Sequence, residues 1–171
     1  TASTTQQLFS KPTLSFDGVE TGNVASQTGN NIIVPASADF TFGSGDFTTE
    51  AWIYLTNTSS LNRNIFAFSS TSFALNTAVS LYVDQSDGKI KLYRGSISDS
   101  SVVRDIGPAL STGAWHHVAA VWNSGSRTFY IDNTVQSGGS VADYLTCNEN
   151  TIGSRRSGEF FDGKIDQIRI Y

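Results

Sequence analysis

Nowhere in this sequence do apolar residues recur at i, i+3, i+4 and i+7 over three turns, the spacing an amphipathic helix needs. Short runs of β-branched and aromatic residues alternate instead with Gly, Asn, Asp and Ser, the pattern of strands and turns. The runs are 13–16, 32–34, 47–56, 64–69, 79–84, 90–94, 102–106, 115–122, 128–131, 150–152 and 164–171. Three connections carry explicit turn chemistry. The segment 84–89 contains Asp87-Gly88, a pair suited to the positive φ of a hairpin. Asn123-Ser124-Gly125-Ser126 joins two runs through a Gly turn, and Asp132-Asn133 ends a run and turns the chain again. Short strands at this spacing predict an all-β, antiparallel sandwich or barrel.

Composition narrows the class. The 171 residues suit one domain. Only 15% are charged, against about 25% in an average globular protein. With 24 Ser and 18 Thr, hydroxyls and amides must cover much of the surface. The 39% of hydrophobic residues can build a core, which excludes a disordered tail. No apolar run approaches the roughly 18 residues of a membrane span, so membrane insertion is not expected. A net charge of −4 lacks the basic footprint of a nucleic-acid binder. Cys147 is the single cysteine, so no intrachain disulfide forms. The chain starts at Thr1 without an initiator Met or an apolar leader, and is expected to be a domain of a larger or processed protein. Residues 1–12 are polar and read as a linker or a docking strand anchored by Leu8 and Phe9, and 13–171 as the domain. Asn57-Thr58-Ser59 fits the N-glycosylation triplet.

Face parity adds detail. In 115–122, Trp115, His117, Ala119 and Val121 share one side, and His116, Val118, Ala120 and Trp122 the other. Both are largely apolar, as in a central strand. In 47–56, Phe47, Thr49, Ala51, Ile53 and Leu55 read as core. Thr48, Glu50, Trp52 and Tyr54 line the opposite face. A carboxylate between two aromatics suits a ligand-facing sheet, and equally a face covered by a loop or by the N-terminal segment.

The residues that carry chemistry are few. A glycosidase needs two carboxylates flanking a sugar, and the fifteen acidic residues here are scattered, with no Glu-x-Asp-x-Glu strand. No Gly-x-Ser-x-Gly elbow occurs. The adjacent His116 and His117 fall on opposite faces, so at most one serves any Ser-His-Asp site, and two such rings with one distant Cys do not make a zinc site. Calcium, which takes carboxylate, carbonyl and amide oxygens as ligands, fits the composition better. Asp166 shares parity with Ile168 and Ile170, which predicts an inward carboxylate needing a partner. Asp17 ends another run beside Gly18. If the two strand ends adjoin, one cation serves both. For sugars, stacking rings and fork-like polar groups are needed, and the candidates are Tyr93-Arg94, Tyr144, Arg155-Arg156 and Phe160-Phe161. The loop 153–161, Gly-bounded with two Arg and two Phe, is the densest such patch, with Phe161 read as its anchor to the core.

Taken in order, these pieces resemble a known family. Leu14-Ser15-Phe16-Asp17-Gly18 and Phe47-Thr48-Thr49-Glu50-Ala51-Trp52-Ile53 resemble the opening of concanavalin A-like, laminin G-like jelly-roll domains. Gly113-Ala114-Trp115-His116-His117-Val118-Ala119 and Tyr130-Ile131-Asp132-Asn133 continue the likeness, and the run from Phe161 to Tyr171 completes it. The resemblance implies two antiparallel sheets packed face to face, with Phe16, Trp52 and Trp115 at structural positions. It implies a non-catalytic module binding glycans or proteins, in secreted, cell-surface or virus and phage particle proteins. It also implies a structural Ca²⁺ with Asp17, Gly18 and Asp166 at the ligand positions. The stretch 19–31 is longer and richer in Gly and Asn than in many members, which unsettles any ligand near Glu20 or Asn23.

The sequence therefore leads to an extracellular or particle-bound glycan-binding or adhesion module, not an enzyme. Its expected ligand residues are Tyr93, Arg94, Arg155, Arg156 and Phe160, and its partners a glycan or cell-surface polysaccharide and other domains of a larger protein. A structural protein-interaction domain of a virion, tail fibre or surface protein is the alternative, and a glucanase-related hydrolase the third reading.

Overall fold

The structure is a computed structural model, and the residues it describes are 2–3, 13–17, 31–35, 37–40, 42–43, 45–56, 63–69, 78–84, 86–96, 99–136, 139–140, 149–155 and 159–171. The early strands are β1 (Ala2–Ser3), β2 (Thr13–Asp17), β3 (Ile32–Val34), β4 (Phe47–Leu55), β5 (Arg63–Ser69), β6 (Ala78–Val83) and β7 (Lys89–Ser96). The later ones are β8 (Asp99–Ala109), β9 (Trp115–Asn123), β10 (Ser126–Ile131), β11 (Thr134–Val135), β12 (Gly139–Ser140), β13 (Glu149–Ile152) and β14 (Asp162–Ile170). One 3-10 turn at Ala38–Phe40 is the only helical element among the described residues.

Two antiparallel sheets form a sandwich. The first runs β1-β2-β14-β4-β9-β10-β11, with β12 also on β10; the second runs β3-β13-β5-β6-β7-β8. The turn chemistry operates as expected. Gly88 takes φ 69° between β6 and β7, Ser124 and Gly125 take 49° and 77° between β9 and β10, and Asp132 and Asn133 take 48° and 62° between β10 and β11. Successive positive φ values match the twist of a two-residue hairpin.

The core lies between the sheets. Along β4, burial alternates strictly: Phe47, Thr49, Ala51, Ile53 and Leu55 are buried, and the residues between them are half-buried. Val118, Ala120 and Trp122 of β9 and Ile165 of β14 complete the first sheet's inner face. Ile65, Phe66, Phe68, Val79, Leu81, Ile90 and Leu92 supply the second. Each such large side chain contributes about 1.5–3 kcal/mol on leaving water. Phe161, fully buried in this cluster, anchors its loop as the sequence suggests.

One expectation about the core is corrected. Asp166 does not share the inward face of Ile168 and Ile170. Ile165 is buried, so the next residue, Asp166, falls on the outer face opposite Trp52. The register then shifts between Asp166 and Arg169, where Gln167 takes φ 47°. This β-bulge adds one residue to the strand and reverses its parity. Ile168 and Ile170 therefore pack against the core while Asp166 lies outside. Parity counted through an unseen bulge gives the wrong side.

Candidate functional site

The outer face of the first sheet gathers side chains from three strands that are distant in sequence. Register places them in rows across β14, β4 and β9. Lys164, Tyr54 and Trp115 form one row, Asp166, Trp52 and His117 the next, and Arg169, Glu50 and Ala119 the third. Cross-strand neighbours on one face sit about 4.5–5.5 Å apart, so rows of this kind are in direct contact. The bulge at Gln167 is what brings Arg169 into line with Glu50. Gly163, at φ 151°, lets β14 come close to β4, because a Cβ there would collide with the backbone oxygen of Tyr54.

Glu50 is the centre of the face. Its Oε1 accepts hydrogen bonds from Arg169 Nη1 at 3.0 Å and from the Tyr171 hydroxyl at 3.2 Å. Its Oε2 lies 3.3 Å from His117 Nε2. Burial works to raise the Glu50 pKa, but the bonds from Arg169 and Tyr171 and the nearby His117 outweigh it, so the carboxyl is held below its ordinary value. Arg169 Nη2 also donates to Gln167 Oε1 at 2.8 Å, which fixes the guanidinium fork. Beside this array the His117 and Trp52 rings stand 5.1 Å apart, centroid to centroid. Tyr54 and Trp115 follow at 5.6 Å, with Lys164 Nζ 5.8 Å from the centre of the Tyr54 ring. Arg169 and Tyr171 are exposed, with Glu50 and His117 partly so. The face thus offers oriented donors and acceptors next to aromatic surface.

Asp166 contributes a carboxylate of unusual standing. Its Oδ1 accepts the Gln167 backbone N–H at 2.8 Å, closing the bulge. Its Oδ2 is shielded from solvent and has no hydrogen-bond partner.

His116 faces the other way. Its Nδ1 lies 2.8 Å from Asp132 Oδ2, and its Nε2 lies 3.0 Å from Ser111 Oγ and 3.1 Å from the Ser111 carbonyl. Asp132 Oδ1 also accepts the His117 backbone N–H at 2.8 Å. The order Ser-His-Asp is that of a hydrolase triad. Here the same contacts tie the start of β9 to the β10–β11 turn and to the loop before β9.

The expected sites fare differently. A cation shared by Asp17 and Asp166 does not fit. Antiparallel register pairs Asp17 with Asp162 and Leu14 with Ile165. Asp166 therefore lies four residues from the Asp17 partner, about 13 Å along the strand, whereas ligands of one calcium ion lie within about 5 Å of each other. Asp162, across from Asp17, is already paired with Arg63 at 3.3 Å. Among the described residues no three His, Cys, Asp or Glu side chains form a metal-holding group. Gly18 lies outside the described residues.

Phe160 is corrected as a stacking ring: at 5% exposure it is buried and closed to a sugar. The chain doubles back after Gly153, where the Phe161 N–H donates to the Gly153 carbonyl, and this folds both Phe residues inward. Arg155 Nε is held by Glu159 Oε2 at 3.1 Å, and Glu159 Oε2 also accepts from Asn64 Nδ2 at 2.8 Å. Arg156, Tyr144 and Asn57 lie outside the described residues. Tyr93 and Arg94, on β7, pair with Ser80 and Val79 of β6. Two strands, β5 and β6, separate β7 from β13, so they do not adjoin the Arg155 loop. Sequence reasoning singled out Glu50, Trp52 and Tyr54 but missed Arg169, Tyr171 and His117 as their partners. Alternation marked the first group, whereas only the register reveals the second.

Comparison with known proteins fixes the family. A model described as the concanavalin A-like lectin/glucanases superfamily matches residues 14–171. The chain belongs to this superfamily. Solved structures of the same fold include domain 4 of AbnA, an extracellular arabinanase of Geobacillus stearothermophilus, in complex with arabinotriose. It has a TM-score of 0.65 at 18% identity, covering 94% of this chain and 82% of that one. The CBM40 module of a Ruminococcus gnavus sialidase gives 0.64 at 12% identity, over 78% and 79%, and was also solved bound to α2,3-sialyllactose. Domains LG4-5 of the mouse laminin α1 chain give 0.59 at 17% identity, covering 91% of this chain and 40% of that pair. No curated protein sequence matches. Among the described residues no helix is long and apolar enough to cross a membrane.

Proposed function

We propose that this domain is a non-catalytic glycan-binding module, and that it binds through the outer face of β14, β4 and β9. One observation carries the reading: the Glu50 carboxylate, fixed by Arg169, Tyr171 and His117, stands directly beside the Trp52–His117 ring pair. Sugar recognition needs this combination. Pyranose and furanose C–H faces pack on aromatic surface, while their hydroxyls require donors and acceptors at fixed positions. The fold's relatives solved with arabinotriose and sialyllactose support the reading. A site that covers only one side of a sugar favours micromolar to millimolar affinity. The module serves a secreted or surface protein, delivering it to a polysaccharide.

Titration of isotope-labelled protein with arabinotriose and with α2,3-sialyllactose, followed by amide chemical shifts, tests the proposal. The expected result is saturable shifts centred on Glu50, Trp52, His117 and Arg169 with at least one sugar, abolished by Glu50→Ala. No shift with either at about 10 mM, a concentration that fills a millimolar site, overturns the reading. Saturable shifts confined to the second sheet overturn the assignment to this face.

A further inference from the structure

Of the two adjacent histidines, His116 meets both a serine and an aspartate. Its Nδ1 stands 2.8 Å from Asp132 Oδ2, and its Nε2 stands 3.0 Å from Ser111 Oγ. The three residues come from the loop after β8, the second position of β9 and the β10–β11 turn. These contacts fix the tautomer. An ionised carboxylate only accepts, so Nδ1 carries the ring proton. In the neutral ring Nε2 is then a lone pair. The Ser111 carbonyl, 3.1 Å away, has no proton to give it. The Ser111 hydroxyl does, and so it is the donor to Nε2. Asp132 is locked in its turn, because its Oδ1 accepts the His117 backbone N–H at 2.8 Å.

A hydroxyl bonded to an imidazole whose far side is held by an aspartate is an activated nucleophile. Accessibility suits the same role. The His116 side chain is only 12% exposed, which shields the base, whereas Ser111 is open to solvent. The backbone N–H groups of Ser111 and Thr112 have no partner among the described residues. The N–H of the nucleophile, or of the residue after it, is one arm of the oxyanion holes of serine hydrolases. We propose that Ser111 is an acyl-acceptor site, which takes the acyl group of a small activated ester, a thioester or aryl ester, and becomes an O-acylserine. A lone pair of Ser111 Oγ attacks the ester carbonyl carbon as the hydroxyl proton passes to His116 Nε2, and Asp132 balances the imidazolium. The tetrahedral oxyanion then collapses, the bond from carbon to the leaving group breaks, and His116 returns the proton to the departing thiolate or aryloxide. Ser111, Thr112 and Gly113 are exposed in succession. No wall there grips a long acyl chain, so the leaving group has to supply the reactivity. The product is the acylated protein, which makes this a modification site and leaves the glycan reading as it stands.

p-Nitrophenyl acetate is the probe, and mass spectrometry of the digested protein reads acetylation residue by residue. Ser124, also exposed in a turn, is the internal reference. Ser111 is expected to acetylate at least about 100-fold faster than Ser124, the lower end of what a positioned general base contributes. Asp132→Asn separates chemistry from folding. An Asn keeps an acceptor for the His117 N–H and tolerates the φ of 48° at this position. Its amide donates to Nδ1, however, which moves the ring proton to Nε2 and removes the base. This variant should therefore hold its Tm and acetylate Ser111 no faster than Ser124. Ser111 reacting no faster than Ser124 in the unaltered protein overturns the proposal, a comparison that needs no variant to fold. Acetylation of Ser111 at an undiminished rate in Asp132→Asn overturns it as well. Because the probe is not a sugar and Ser111 is not among the residues assigned to sugar binding, this result is independent of the glycan titration.

Discussion

Two charged arrays of similar size sit on this sandwich, one on each sheet, and they are built in opposite ways. On the second sheet, Lys91 Nζ reaches Asp84 and Asp87, both at 3.1 Å. All three belong to a single hairpin, whose carboxylates also cap the Ser86 and Lys89 backbone N–H groups. On the first sheet, Glu50 takes its partners from residues 117, 169 and 171. Burial works to lower the Lys91 pKa, but its two aspartates overcome this and hold the ammonium well above its ordinary value. The Lys91 charges are spent on shaping a turn. The Glu50 array crosses three strands and lies beside aromatic rings, so its geometry defines a surface. Sequence separation between partners, rather than the number of ion pairs, distinguishes a device of the fold from a candidate site.

The contrast can be broken at several points. Gly163→Ala should cost most, about 3 kcal/mol or more in denaturant unfolding, because its Cβ drives β14 off the Tyr54 backbone and takes the Glu50 rows with it. Glu50→Ala should cost about 1 kcal/mol and remove the saturable sugar shifts, since it strands Arg169 and His117 together. Acid should act on the same group. With its folded-state pKa held below the ordinary 4.5, Glu50 contributes stability that is fully present above that value and lost as pH falls through the lowered one. The Glu50 contribution to sugar affinity and Tm should therefore be intact above the ordinary carboxylate value and decline only below it. Glu50→Gln should show no such decline in affinity. Lys91→Ala should act least on the site, leaving the sugar titration unchanged, because its partly buried ion pairs stay within one hairpin.

Local features of this molecule were legible in the sequence. The hairpin turns follow from Asp87-Gly88, Ser124-Gly125 and Asp132-Asn133, and the inner face of β4 follows from alternation. The family likeness carried the two-sheet architecture, and the superfamily match confirms it. The site was legible by halves. Glu50, Trp52 and Tyr54 announce one edge of it, but Arg169 lies across a bulge that no residue type in Asp166-Gln167-Ile168 betrays. Phe160 illustrates the opposite error. An aromatic in a Gly-rich loop reads as exposed, whereas the Gly153 turn folds it into the interior.

The bulge in β14 makes the strand read in two frames. Before it, even-numbered residues such as Lys164 and Asp166 meet the outer face; after it, odd-numbered Arg169 does, and the even-numbered Ile168 and Ile170 turn inward. Deleting the single residue Gln167 would put both frames in phase. Arg169 would still oppose Glu50 and Ile170 would still oppose Thr49, because the bulge takes up the one residue lost. What the deletion would remove is the Gln167 side-chain carbonyl that holds the Arg169 guanidinium and the N–H that holds Asp166, so the extra residue serves the surface and not the interior.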